Sequence, residues 1–140
     1  MSAFGFAVLA AFLWGSAAIC EKMGLVSGAD PLTGLWARCI GVVIGTAALS
    51  FLIPQLPVRL AAAGWKSFFW LAGGGLIASV LGQFFFYRAL KVGEIGRIAT
   101  VGGSWPLVAF LLSLLFLHEA PTPRKLAGVV LVFLGVTLLK

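Results

Sequence analysis

Ile98–Leu117 reads IATVGGSWPLVAFLLSLLFL, and no residue in it carries a charge. A helix needs about 20 predominantly apolar residues to cross a hydrocarbon core roughly 30 Å thick, so this run is long enough by itself. Three more runs of the same kind lie upstream: Ser67–Tyr87, Leu32–Ile53 (interrupted only by Arg38) and Ala3–Cys20. Downstream, Leu126–Leu139 is shorter, about 21 Å at 1.5 Å rise per residue. Counted from Thr122, with Arg124 and Lys125 snorkelling, it just reaches across. The pattern predicts an all-α integral membrane protein with five transmembrane helices, at about 3–21, 32–53, 67–88, 97–117 and 122–139, forming one transmembrane domain over 1–140.

Composition excludes a soluble globular fold. Of 140 residues, 61% are hydrophobic and 10% charged, against roughly a quarter charged in ordinary soluble domains. The excess of ten Lys/Arg over four Asp/Glu does not point to nucleic acid. The basic residues stand singly at the ends of apolar runs, as membrane anchors do, rather than in a phosphate-binding stripe. The first run has no basic residue before Ala3 and is longer than the apolar region of a typical signal peptide, so it is expected to be a retained helix.

Turn chemistry marks the connectors. Asp30-Pro31 and Thr122-Pro123 each read as an N-cap followed by proline at the first helical position. Pro54 and Pro57 are placed to stop the second helix. Aromatics crowd both ends of the third run, with Trp65 and Tyr87 about 33 Å apart along a helix, a separation suited to two membrane interfaces.

Enzyme and metal motifs fail one by one. His118-Glu119 opens like a zincin motif, but the second histidine would fall at Thr122, and His118 is the only histidine. Gly73-Gly74-Gly75 is not followed by a phosphate-loop Gly-Lys-Ser/Thr. Cys20 and Cys39 read as small apolar fillers. No enzyme activity, cofactor or metal is expected, so transport would run on a gradient or by exchange. Small residues recur every fourth position (Ala3, Ala7, Ala11, Gly15; Gly41, Gly45; Gly74, Ala78, Gly82), which indicates packed helices but no particular function.

Several residues are candidates for more. Pro106 cannot donate to the carbonyl of Gly102, and Gly102, Gly103 and Ser104 loosen the chain before it. It is either a packing kink or a break that lines a cavity. Arg38 lies roughly two turns into the second helix, where it either serves function or snorkels towards Glu21 or Asp30. Trp14 and Ser16 in the first helix, Ser79 and Gln83 in the third and Trp105 in the fourth are expected to face inward, because polar groups are costly against hydrocarbon. Phe4, Phe68 and Val130 are expected on lipid or packing faces. No long run carries a central Asp or Glu, which argues against a simple buried-carboxylate proton relay.

In order along the chain, Leu13-Trp14-Gly15-Ser16, Lys22, Pro31, Arg38, Tyr87-Arg88-Ala89-Leu90, Pro106, Leu117-His118-Glu119 and Gly128…Leu131…Gly135-Val136 resemble one half of an EamA-type protein of the drug/metabolite transporter superfamily. The resemblance runs nearly end to end. It implies a helical transporter of small metabolites or drug-like molecules whose cavity is lined by the first, third and fourth helices. Full-length members carry two such halves in inverted orientation, and this sequence holds one. The candidate substrate-binding set, from the residues and the resemblance together, is Trp14, Ser16, Arg38, Gln83, Tyr87, Gly102, Ser104, Trp105 and Pro106. The implied partners are membrane lipids, a small-molecule substrate and a second copy in a homodimer, in a bacterial inner membrane or an archaeal membrane. The related small multidrug resistance proteins carry a carboxylate eight residues before a lysine matching Lys22. Trp14 stands there in this chain, which departs from their proton-coupled export of cations. The segment His118–Arg124 is also similar to that of lipid-sugar flippase subunits. A flippase for a lipid-linked anion and a non-transporting membrane assembly protein are therefore the alternatives to a metabolite transporter.

Overall fold

The computed structural model describes residues 2–53 and 55–139; Pro54, which was expected to stop the second helix, and Lys140 lie outside the described residues. The described chain is helical throughout its apolar runs: α1 (Ala3–Val26), α2 (Pro31–Leu52), α3 (Leu56–Leu76), a π-helical segment (Ile77–Gly82), α4 (Gln83–Val92), α5 (Ile95–Gly102), α6 (Trp105–Phe116) and α7 (Pro123–Thr137). Among the described residues, four helical runs are long and apolar enough to cross a membrane: Ala3–Val26, Pro31–Leu52, Val58–Val92 and Ile95–Phe116. The 15-residue α7, which covers most of the run expected as the fifth crossing, is about 22 Å long at 1.5 Å per residue.

Two of these helices are longer than the charge pattern indicates. α1 continues through Glu21 and Lys22 to Val26, because both charges find partners within the protein. The third crossing begins at Leu56 rather than Ser67. It holds one non-helical residue, Gly64, at φ 73° and ψ 156°, a conformation open to glycine at little cost. Capping supplies the helix starts. The Asp30 carboxylate accepts from the backbone N–H of Leu32 (2.9 Å) and Thr33 (3.2 Å) and from the Thr33 hydroxyl. Thr122 accepts from the Lys125 N–H at 3.3 Å. Each cap satisfies donors that the first turn leaves unpaired. α6 ends where His118 takes a left-handed φ of 51°, as a residue just past a helix C-terminus commonly does.

The chain divides into two compact units, Ile19–Val92 and the pair of segments Met1–Ala18 with Gly93–Lys140. In the first, α1, α2 and α4 bury Leu25, Leu35, Tyr87 and Leu90. In the second, α6 packs on α7, and Trp14 meets Trp105 edge-on with centroids 6.4 Å apart. Elsewhere most of the described large apolar side chains are exposed; Phe51, Val92 and Phe4 keep 90%, 88% and 79% of their surface. A water-soluble chain could not sustain this, whereas lipid tails or neighbouring helices cover it without penalty.

A polar cluster on three helices as the candidate functional site

Helical spacing assembles the site in the unit Ile19–Val92. Glu21 and Leu25 are four apart on α1, Gly34 and Arg38 four apart on α2, and Gln83 and Tyr87 four apart on α4, so each pair shares a helix face. Gly34 makes the close approach possible. A Cβ there would stand 3.2 Å from Leu25 Cδ2 and 3.2 Å from the Tyr87 ring. Leu25 and Tyr87 are each only 2% exposed, so neither has room to retreat.

Glu21 is the hub. One of its carboxylate oxygens lies 3.3 Å from Arg38 Nε, and the other accepts from Gln83 Nε2 at 3.2 Å. The Tyr87 hydroxyl lies against both Glu21 and Gln83. The Glu21 and Arg38 side chains keep 18% and 32% of their surface, so the pair is largely withdrawn from solvent yet reachable. The contact uses Arg38 Nε, leaving the two terminal nitrogens of the fork uncommitted. Those nitrogens are the part of arginine that matches a carboxylate or phosphate edge. Around the cluster, Lys22 Nζ donates to the Leu90 carbonyl and Lys91 Nζ to the Ala29 carbonyl at 3.0 Å. Lys22 thereby meets a carbonyl in the last turn of α4, where a cation is favoured.

Backbone geometry aims Gln83. The preceding segment Ile77–Gly82 is π-helical, and the Gln83 N–H reaches back five residues to the Ala78 carbonyl. Such single-turn expansions are rare and occur often at functional positions. An inserted residue turns the following face relative to the preceding one, and here the face that follows carries Gln83 and Tyr87.

Of the candidates read from sequence, Arg38, Gln83 and Tyr87 therefore meet in one network. Trp14 and Trp105 meet each other in the other unit. Ser16 and Ser104 spend their hydroxyls locally, on the Phe12 carbonyl at 2.9 Å and the Val101 carbonyl at 2.6 Å. Gly102 ends α5, and Pro106 occupies the first turn of α6, where its missing N–H is tolerated. The change of helix falls at Gly103–Ser104, two residues before the proline, with Ser104 and Leu107 each donating to a carbonyl three residues back. Sequence reasoning left Glu21 out of the site because it stands next to Lys22 past the apolar run. Its place as a possible partner of Arg38 was the available signal. Between the two partners considered for Arg38, the structure selects Glu21; Asp30 is engaged in capping α2.

The chain matches the EamA-like transporter family over residues 1–140. It belongs to that family and is a multi-pass membrane protein that transports small solutes. Neither the curated proteins nor the solved structures include a match to it.

Proposed function

We propose that the chain is a secondary transporter of small metabolites or drug-like molecules that works as a homodimer, with Glu21, Arg38, Gln83 and Tyr87 as its solute-handling polar site. The observation that carries this reading is the Glu21–Arg38 pair, set among apolar helices and joined to Gln83. Charged groups inside membrane helices are costly, and they persist where they pair with one another and serve a pathway. In this reading an acidic group of the solute takes the free edge of the Arg38 fork, while Glu21 keeps the guanidinium in place. Trp14, Ser16, Gly102, Ser104, Trp105 and Pro106 are proposed to line the route of the solute, the two tryptophans offering aromatic faces and edges.

Uptake into proteoliposomes, screened with labelled metabolites at equal reconstituted abundance, tests this. Arg38→Lys should retain the charge but lose roughly ten- to a hundredfold in transport of an acidic solute. A charge-assisted hydrogen bond is worth about 1.5–3 kcal/mol, and a point charge cannot reproduce the planar fork. Wild-type turnover in a well-folded Arg38→Lys protein would remove Arg38 from the site.

A further inference from the structure

Away from the polar cluster, α6 and α7 leave a groove of about 390 Å³ between them. Its residues sort by chemistry along α7. Arg124 and Lys125 stand at the start of the helix, next to the exposed connector from α6, and Gly128, Val129 and Val132 follow down the same helix. Phe110, with Leu107 and Pro106, forms the α6 wall. From Arg124 to Val132 the α7 side runs about 12 Å at 1.5 Å per residue. Nothing lies within 4 Å of where a Gly128 Cβ would project, so the floor is open at that point.

The two cations are unequally neutralised. Lys125 Nζ lies 3.3 Å from Glu119 Oε2, whereas Arg124 has no partner among the described residues. Both occupy the first turn of a helix, the end where the macrodipole disfavours positive charge, so helix stability does not account for them. A cationic mouth at the membrane face, opening onto an apolar trough that points into the hydrocarbon, has the polarity of an amphiphile with a negative head.

We infer that the α6–α7 groove is a binding site for one anionic phospholipid, with its phosphate on Arg124 and Lys125 and an acyl chain lying over Gly128 towards Phe110 and Val132. Phosphate is matched by the planar Arg124 fork, with Lys125 adding a point charge. The chain packs against side chains as apolar as the bilayer it leaves, so the preference for this lipid comes from its head. A zwitterionic lipid of the same chain length should bind less tightly, since its head carries a cation towards the same two residues.

The test is titration of delipidated full-length protein in detergent with phosphatidylglycerol, phosphatidylcholine and water-soluble glycerol phosphate, read by native mass spectrometry. One phosphatidylglycerol per chain is expected, bound more tightly than phosphatidylcholine and not displaced by glycerol phosphate at equal concentration. Arg124→Ala should weaken phosphatidylglycerol about fivefold, the effect of one cation near an anionic lipid surface, and weaken phosphatidylcholine less. A phosphatidylglycerol with a photoreactive acyl chain should label Phe110 or Val132, a readout that needs no variant to fold. Equal affinity for the two lipids, an unchanged Arg124→Ala protein, full competition by glycerol phosphate, or labelling elsewhere would each overturn the inference. So would a dimer that dissociates on Gly128→Leu while lipid binding persists, because a second copy would then fill the groove. None of these readings depends on transport, so they stand or fall separately from the polar cluster.

Discussion

At the residue scale, the absence of a side chain at Gly34 decides whether the polar cluster forms. Its backbone is helical, so the requirement is space and not conformational freedom. Gly34→Ala should destabilise the protein by about 1–3 kcal/mol, the usual cost of overpacking a filled contact. Transport should fall as well, because Tyr87 is one of the two groups that must yield. Thermal unfolding in detergent beside the uptake assay checks both, and an alanine variant with wild-type stability would show that α2 can simply step back. Asp30 makes a different prediction. The Thr33 hydroxyl, with backbone N–H groups behind it, holds this carboxyl below its ordinary value of 3.8. A depressed carboxylate contributes stability above its unfolded pKa and loses it as pH falls through the folded value. The contribution of Asp30 should therefore be constant near neutrality and fade only below about pH 4. Asp30→Asn keeps a capping oxygen and should remove that acid-dependent component, which parallel melting curves from pH 3 to 7 would reveal as a difference confined to the acidic end. Unequal slopes between pH 5 and 7 would assign the effect to another group.

At the scale of elements, the fourth crossing separates a break that serves function from one that serves packing. Pro106 sits where a helix tolerates it, yet Gly103 bears the tightest fit, since a Cβ there would come within 2.9 Å of the Ala99 carbonyl oxygen. Backbone, unlike a flexible side chain, cannot swing aside. Gly103→Ala should accordingly damage folding, lowering both membrane abundance and stability. Pro106→Ala restores a donor near the Gly102 carbonyl and should straighten the crossing, reducing transport more than it reduces folding. Equal turnover of Pro106→Ala and wild type at matched abundance would make the proline a packing device. The same crossing shows what sequence carries. The apolar run Ile98–Leu117 and its break near Gly102–Pro106 were legible, because length, charge and proline each have a direct structural consequence. The π-helical turn at Ile77–Gly82 was not, since its residues are ordinary helix and strand formers, with no proline or charge to mark the extra residue. Glu21 was legible only in part: it was one of two partners open to Arg38, but a charge beside a second charge looks like a helix end, so its contact with Gln83 was not read.

At the scale of the whole molecule, the question is what the five-helix unit works with. Alternating access in related membrane folds comes from one inverted repeat moving against another, and the sequence reads as one such repeat. Its exposed apolar surface, including open small-residue positions at Gly41, Gly45 and Gly135, leaves ample room for a second copy. Orientation follows the excess of Lys and Arg in short loops. With five crossings, the face shared by the N-terminus and the loops after the second and fourth crossings carries Arg59, Lys66, Arg124 and Lys125. The opposite face carries Lys22, Arg88, Lys91, Arg97 and Lys140. Arg38 leaves the count, because it is held by Glu21 inside the protein. Four against five is too even to fix one orientation, so the chain is predicted to insert both ways and to pair as an antiparallel homodimer. Fusing a reporter active only in the cytoplasm and one active only outside it to the C-terminus, in separate strains, measures the two populations directly. Both reporters should give signal of similar size. Adding two lysines to the connector 118–122 tips the balance to six against five and should move signal from one reporter to the other, while lysines added at 93–94 should move it back. Strong signal from one reporter alone, unmoved by either change, would rule out dual insertion and leave a parallel dimer or a different partner chain to supply the second half.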